Sequence, residues 1–196
     1  MTTKQIITLL FAAFLAFESV AQPTNVGRFE AEIGVGLANG LSSLNLDNCN
    51  PGPKIYGELR YNIKALPIDL GIQASSSYFR RSDDQVKNID GVKCKSINVM
   101  AVADYHLRRG KNLSIFAGVG LGLGVLDVTA PISFDDTQLN WSGYHTGDGS
   151  SRLAFMPRVG IELWNHLRMT LAFTTLEKAN NQYSINIGVV FGGGRK

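Results

Sequence analysis

The sequence predicts an all-β protein, an eight-stranded antiparallel up-and-down barrel that crosses a membrane. Three observations predict it: segments of about ten residues alternate apolar with small or polar residues, the segments are even in number, and the links between them alternate between short and long. Hydrocarbon offers the backbone no hydrogen-bond partners, so only helices and closed barrels span it. Beyond the first 21 residues, the sequence contains no apolar stretch long enough for a spanning helix.

An apolar leader occupies residues 1–21. Lys4 supplies a basic start, an apolar stretch follows, and Ser19, Val20 and Ala21 form a small-residue cleavage site. Glu18 ends the stretch, which is shorter than the roughly 20 residues that a membrane anchor needs. We therefore expect a cleavable signal peptide at residues 1–21 and one barrel domain at residues 22–196.

The charge balance of the chain is mild. The leader contains one Lys and one Glu, so the mature chain keeps the formal net charge of +3. This balance gives no reason to expect a nucleic-acid partner, and no motif predicts a cofactor. A hydrophobic content of 44% suits both a soluble core and a lipid-facing belt. The choice between them therefore depends on how apolar and polar residues alternate along the strands.

Eight strands are predicted, at residues 28–37, 54–63, 68–78, 95–105, 113–127, 152–163, 167–175 and 182–192. In the first strand Phe29, Ile33 and Leu37 share one face, and Glu30 and Glu32 share the other, because side chains alternate along a strand. The last strand repeats this alternation. We therefore expect the first and last strands to pair and close the barrel.

The links are short at residues 64–67, 106–112 and 164–166 and long at residues 38–53, 79–94 and 128–151, although the link at 177–181 is short where a long one is expected. Outer-membrane barrels have short periplasmic turns and longer extracellular loops, so we expect both ends of the barrel in the periplasm. Outward aromatic residues form the two girdles that a membrane interface favours. They are Phe29, Tyr61, Tyr105 and Phe191 at the periplasmic end and Tyr78, Phe155, Phe173 and Tyr183 at the extracellular end.

The strand count, the alternation, the loop asymmetry and the closing strand with Phe191 resemble the small outer-membrane β-barrel family typified by the transmembrane domain of OmpA and by OmpX. The resemblance covers residues 28–192. It implies a barrel of the cell outer membrane that contacts lipid and lipopolysaccharide, is inserted by the barrel assembly machinery and is a monomer. Such barrels commonly end on an aromatic residue, whereas residues 192–196 follow Phe191 here, so the assembly signal is internal or differently read.

The alternation turns charges of both signs inward. An eight-stranded barrel has room inside for little more than its own side chains, so these charges should pair across the lumen or, as the alternative, line a narrow ion path. Four inward glycines of the fifth predicted strand, Gly118, Gly120, Gly122 and Gly124, should make room for large charged side chains. The inward charged set is Glu30, Glu32, Glu58, Arg60, Asp69, Asp104, Arg152, Arg158, Glu162 and Arg168.

The two cysteines, Cys49 and Cys94, fall at the same predicted extracellular end. An oxidising compartment favours a disulfide between them over free thiols. A metal site is disfavoured, because no His lies near either cysteine in sequence and two thiolates leave half of zinc's coordination positions empty.

The third long loop holds the residues that could act outside the membrane. His145, Asp148 and Ser150 are the local candidates for the hydrolytic site of a lipid A-modifying enzyme, but a glycine-rich loop holds them poorly, and we expect no enzymatic activity. Aromatic and acidic residues of this loop could bind a surface ligand: Phe134, Asp135, Asp136, Trp141 and Tyr144. We expect a structural or surface-interaction role; the alternatives are a narrow ion or solute channel, a soluble periplasmic lipocalin-like carrier and a lipid A-modifying enzyme.

Overall fold

The structure is a computed structural model and describes residues 27–41, 49–63, 66–81, 92–107, 112–134, 141–147, 151–176 and 180–192. The expected signal peptide lies outside these residues. Within them, no helix is both long and apolar enough to cross a membrane. The strands are β1 Phe29–Leu41, β2 Cys49–Asn50, β3 Gly52–Asn62, β4 Ile68–Arg81, β5 Val92–Leu107, β6 Leu113–Phe134, β7 Trp141–Gly147, β8 Ser151–Leu163, β9 Leu167–Leu176 and β10 Asn180–Phe191.

Eight of these strands close into an antiparallel barrel, as the sequence predicts. The order around the ring is β4, β3, β1, β10, β9, β8, β6, β5, and the pairing of β5 with β4 completes it. The first and last barrel strands pair from Ala31 opposite Phe191 to Leu41 opposite Asn181. Closure leaves no strand edge in the ring, so every barrel strand has two neighbours for its backbone hydrogen bonds.

The extracellular ends of the strands reach farther than predicted. The loop prediction for residues 128–151 is wrong over most of its length, because β6 continues to Phe134 and pairs with β7. Val128, Thr129 and Ile132 are β-branched residues that favour this extension. The short strand β2 pairs with the end of β4 in the same way.

The two faces of the barrel wall differ in polarity. Ile33 and Leu59 point outward and are each 67% exposed, whereas Glu32 and Arg60 point inward and are each 2% exposed. The predicted aromatic residues also face outward, with Tyr105 and Phe173 half-buried and the other six exposed. A soluble barrel has the reverse arrangement, so this wall does not support the lipocalin-like alternative.

A three-residue turn, Trp164–His166, joins β8 to β9 at the periplasmic end. Trp164 and Asn165 have φ angles of 53° and 59°, and the His166 amide donates a hydrogen bond of 3.0 Å to the Leu163 carbonyl. Positive φ at both central residues is the type I′ geometry, whose twist matches that of the adjoining strands. The turn is therefore as short as the sequence predicts.

Candidate functional site in the barrel lumen

Arg158 joins three strands across the periplasmic half of the lumen. From β8, its Nε and Nη2 donate to Asp104 of β5 at 2.8 and 2.7 Å. Its Nη1 and Nη2 donate to Glu58 of β3 at 2.6 and 2.8 Å. Both carboxylates are held in bidentate pairs, which are among the strongest hydrogen bonds in proteins. All three side chains are almost fully buried.

Arg60 forms a second centre beside the first. Its guanidinium contacts Glu30 at 3.1 Å, Glu32 at 2.5 Å and Glu58 at 3.3 Å. The Tyr56 hydroxyl donates to the other oxygen of Glu32 at 2.5 Å. Glu58 therefore lies between two arginines, and this shared carboxylate joins the two centres into one network.

Arg168 brings β9 into the network. Its Nη2 donates to Asp104, and its guanidinium lies 3.8 Å from Glu32 and 3.7 Å from Glu162. The guanidinium also stacks 3.6 Å from the centre of the Phe116 ring, as in a cation–π contact. An aromatic face thus covers the cation on the side that the carboxylates leave open.

A separate array closes the periplasmic end. His106 Nε2 lies 2.8 Å from Asp69 Oδ2, and His106 Nδ1 lies 3.1 Å from Ser114 Oγ. The expectation that His106 lies in a periplasmic turn is wrong, because β5 continues to Leu107 and the His106 side chain is buried. These are the residue types of a hydrolytic triad, but each is buried, and Ser114 Oγ donates to the Leu107 carbonyl.

The predicted inward charges divide into three groups. Eight belong to the arginine network, and Asp69 belongs to the His106 array. Arg152 is the third group: it is exposed near the start of β8, at the extracellular end, opposite Gly124. The eight network residues are Glu30, Glu32, Glu58, Arg60, Asp104, Arg158, Glu162 and Arg168.

Two uncharged partners of this network and one buried lysine were missed in the sequence. Gln73 donates to Glu58 at 2.7 Å and Asn62 donates to Glu30 at 2.6 Å. Lys54 is also buried, and its ammonium group donates to Ser184 at 3.0 Å. The signal was present in the alternation, since these residues share the inward face with the predicted charges.

The extracellular half of the lumen is partly apolar, which the alternation did not predict. Six buried residues of β5, β8 and β9 pack together: Met100, Val102, Ala154, Met156, Ala172 and Leu176. A methyl group added at Gly120 would lie 3.0 Å from Met156 and 3.3 Å from Met100. Gly118 adjoins the Asp104 carboxylate, but Gly124 adjoins Leu176. The glycine prediction is therefore wrong at Gly120, which makes room for methionine side chains, and at Gly124, which makes room for Leu176 and the Asn98 amide. It is also wrong at Gly122, where an added methyl group would meet the backbone of Val99.

The two cysteines lie on opposite sides of β4. Cys49 is opposite Arg81, and Cys94 is opposite Phe79. Two strand spacings amount to about 9.6 Å, whereas the Cα atoms of a disulfide are at most about 7 Å apart. The disulfide therefore stays a prediction, and forming it would require β2 to move away from β4.

The predicted loop residues lie on or beside the β6–β7 hairpin. Phe134 is opposite Trp141, and Tyr144 is opposite Pro131. His145 is opposite Ala130 on the same ladder. Asp135, Asp136, Asp148 and Ser150 lie outside the described residues.

Comparison with known proteins assigns the family. Residues 7–192 match the family model for the outer membrane protein beta-barrel domain. No curated protein matches the chain. Among solved structures, Neisserial surface protein A (NspA) is similar with a TM-score of 0.55 and 13% identity, over 85% of this chain and 98% of that chain.

Two further solved structures are similar over comparable lengths. Ail of Yersinia pestis, in complex with the heparin analogue sucrose octasulfate, has a TM-score of 0.48 and 15% identity, over 84% of this chain and 99% of that chain. The N-terminal beta-barrel domain of Pseudomonas aeruginosa OprF has a TM-score of 0.41 and 16% identity, over 87% of this chain and 100% of that chain. The chain belongs to the outer membrane protein beta-barrel domain family, and its place is the cell outer membrane.

Proposed function

We propose that this protein is a closed, non-enzymatic barrel with a structural or surface-interaction role, in which the β6–β7 hairpin recognises a ligand outside the cell. The hairpin carries the proposal. Beyond the last pairs of β6 with β8, at Val125, and with β5, at Thr129, β6 and β7 continue together to the pair Phe134 and Trp141. The proposal includes that the protein is a monomer and that the barrel assembly machinery inserts it into the membrane.

The composition of the hairpin end supports recognition. Phe134 and Trp141 occupy directly opposite positions, and aromatic pairs in such positions stabilise a two-stranded ribbon. Asp135 and Asp136 follow Phe134 in sequence. Aromatic rings with acidic neighbours suit a carbohydrate or a basic protein surface, and external loops are where a rigid barrel can bind a partner.

The packing of the lumen supports a closed barrel rather than the channel alternative. Glu58, Asp104 and Arg158 meet across the lumen with side-chain exposures of no more than 2%. An ion that moved through would have to break their charge-assisted hydrogen bonds, and each released group would stay buried.

The burial of Ser114, His106 and Asp69 supports the non-enzymatic part of the proposal. A hydrolytic serine must reach the substrate and an oxyanion-binding group, whereas this array is no more than 4% exposed. We infer that this array stabilises the periplasmic ends of β4, β5 and β6 by joining their side chains. Release of fatty acid from labelled lipid A by the wild type, abolished in His106→Ala or His145→Ala, would contradict this part.

The recognition proposal is tested on intact cells. Cells that display the wild-type barrel should bind one or more ligands on an array of glycans and matrix proteins, and the double variant Phe134→Ser, Trp141→Ser should lose that binding. The matched control is Ser133→Ala, Ser142→Ala, which changes the neighbouring pair of the same ladder and should keep binding. Equal binding by all three proteins, or by none, would reject the hairpin as the recognition element.

A further inference from the structure

A buried lysine lies in the extracellular half of the lumen. Lys54, on β3, is 2% exposed. Among the described residues its ammonium group forms no ion pair, and its one hydrogen bond is donated to the Ser184 hydroxyl at 3.0 Å. Glu58, farther along the same strand, is paired with Arg60 and Arg158 instead. A buried ammonium ion without a counterion is costly, so this position is suited to an anionic ligand.

Two further hydrogen-bond donors accompany Lys54. Ser184 Oγ accepts from Lys54 and, at 3.2 Å, from Asn186, so its own hydrogen can be donated elsewhere. Gln182, on the same face of β10, is 2% exposed, and its Nε2 has no acceptor among the described residues. Ser77, opposite Lys54, donates to Gln182 Oε1 at 3.2 Å. We call Lys54, Gln182 and Ser184 the donor cluster; these donors suit a carboxylate, which only accepts hydrogen bonds.

The apolar cluster of the lumen adjoins the donor cluster. Ala172, a member of the apolar cluster, lies directly opposite Ser184 in the ladder of β9 and β10. Gln182 lies opposite Thr174, the next inward residue of β9. The apolar cluster also contains two methionines, whose unbranched side chains adapt to irregular spaces. This half of the lumen therefore combines donors for an anionic group with apolar side chains that can move aside for a hydrocarbon chain.

The strand ladder beside the apolar cluster is interrupted. Between β8 and β9, Arg158 is paired with Ala172, and the next pair toward the extracellular end begins at Phe155. Met156 and Pro157 have no partner on β9, and proline has no amide hydrogen to donate to a ladder. Lipid covers the outside of this wall and the apolar cluster lies inside it. The gap is therefore a route by which a hydrocarbon chain in the bilayer can reach the lumen.

We propose that the extracellular half of the lumen binds a fatty acid from the membrane. Its carboxylate lies against the Lys54 ammonium group and accepts hydrogen bonds from Gln182 and Ser184. Its hydrocarbon chain enters between β8 and β9 and lies in the apolar cluster, where it displaces the side chains of Met100 and Met156. The carboxylate offsets the buried cation, and the chain stays out of water. A short carboxylate shares the anionic group but has no chain, whereas a long-chain alcohol has the chain but no charge.

The first test measures the retention of ligands by the folded barrel in a neutral detergent, by native mass spectrometry. The probes are palmitate, hexadecanol and acetate in mildly alkaline buffer, where a carboxylic acid is ionised. The wild type should retain palmitate at least about tenfold better than hexadecanol, because hydrogen bonds to a charged group are the stronger ones. Lys54→Met should lower palmitate retention to the level of hexadecanol. The control Lys95→Met removes a half-buried outward cation of the same end and should leave retention unchanged.

The second test locates the chain. Palmitate with a photoreactive diazirine at the end of its chain should label Met156 or Ala172 in the wild type, and excess palmitate should prevent this labelling. Labels confined to outward residues such as Val159 and Leu171 would overturn the site. Equal retention of palmitate and hexadecanol by the wild type, which needs no variant to fold, would overturn the role of the carboxylate, as would full retention by folded Lys54→Met. Displacement of palmitate by acetate would overturn the choice of a fatty acid and identify a small-anion site.

Discussion

At the scale of single residues, Arg158 shows how a buried cation can be kept inside a narrow barrel. Four hydrogen bonds of 2.6–2.8 Å satisfy its guanidinium, and both partner carboxylates receive two bonds each. The desolvation cost of such an ion pair is high and is offset only when the geometry is good and the remaining polar atoms are bonded. Gln73 meets this condition for Glu58.

Replacement of Arg158 by Met should lower the free energy of unfolding by about 3–5 kcal/mol, because it leaves Glu58 and Asp104 buried without their main partner. Urea titration of the barrel in detergent micelles measures this loss. The matched control is Arg152→Met on the same strand and the same face; because Arg152 is exposed, its loss should change stability by about 0.5 kcal/mol or less. Equal effects at the two positions would show that the network does not stabilise the lumen.

At the scale of elements, β6 combines three environments in one strand. Val119 and Leu121 face the lipid, the glycines that alternate with such residues leave space in the lumen, and the residues after Thr129 extend beyond the barrel and pair only with β7. The alternation of side chains along the strand puts the first two environments on opposite faces. The third environment exists because β6 is long enough to extend beyond the barrel. The sequence therefore carries membrane anchoring and the extracellular extension in one continuous segment.

Val119→Arg places a charge at the middle of the lipid-facing side of β6, opposite Ala103 and Pro157. A cation near the bilayer midplane of a barrel costs about 2–4 kcal/mol, whereas one near the interface costs about 0–1 kcal/mol. We therefore expect Val119→Arg to lower the yield of barrel folded into vesicles far more than Leu113→Arg, on the same face at the periplasmic end of β6. Yields that are equally high for both variants would contradict the assigned lipid face.

At the scale of the whole molecule, the ring of strands is closed and its lumen is filled with side chains. The pairing of β1 with β10 closes the ring, and the lumen is then filled by charged side chains in its periplasmic half and by a partly apolar cluster toward the extracellular side. A solute that crossed the lumen would have to displace both the charged network and the apolar cluster. A closed and filled barrel is what the proposed function requires, since the β6–β7 hairpin would then be held outside the cell by a packed ring of strands.

The ion conductance of the barrel tests whether these side chains block the lumen. The wild-type barrel in a planar lipid bilayer should show no current steps above those of protein-free membranes, because the Arg158 pairs cross the lumen. Current steps that Arg158→Gln changes and Arg152→Gln does not would establish an ion path through the network and would contradict the closed barrel.

The sequence by itself determined which residues face lipid and which face the lumen. Alternation with period two is a local property, so Glu30, Glu32 and Arg60 could be placed inside from their own strands alone. The same local signal predicted the number of barrel strands and their closure. It did not predict that Arg152 is exposed, because alternation reports the direction of a side chain and not how deep in the lumen the residue lies.

The tertiary structure alone decided the partners. Arg158 contacts Glu58, 100 residues earlier, and Asp104, 54 residues earlier, and such pairs depend on the register of every strand between them. Ser114, His106 and Asp69 likewise meet only because β5 runs past its predicted end and lies between β4 and β6. A one-residue change of register would turn every side chain of a strand to the other face, so the network follows from the closed ring and not from any single segment.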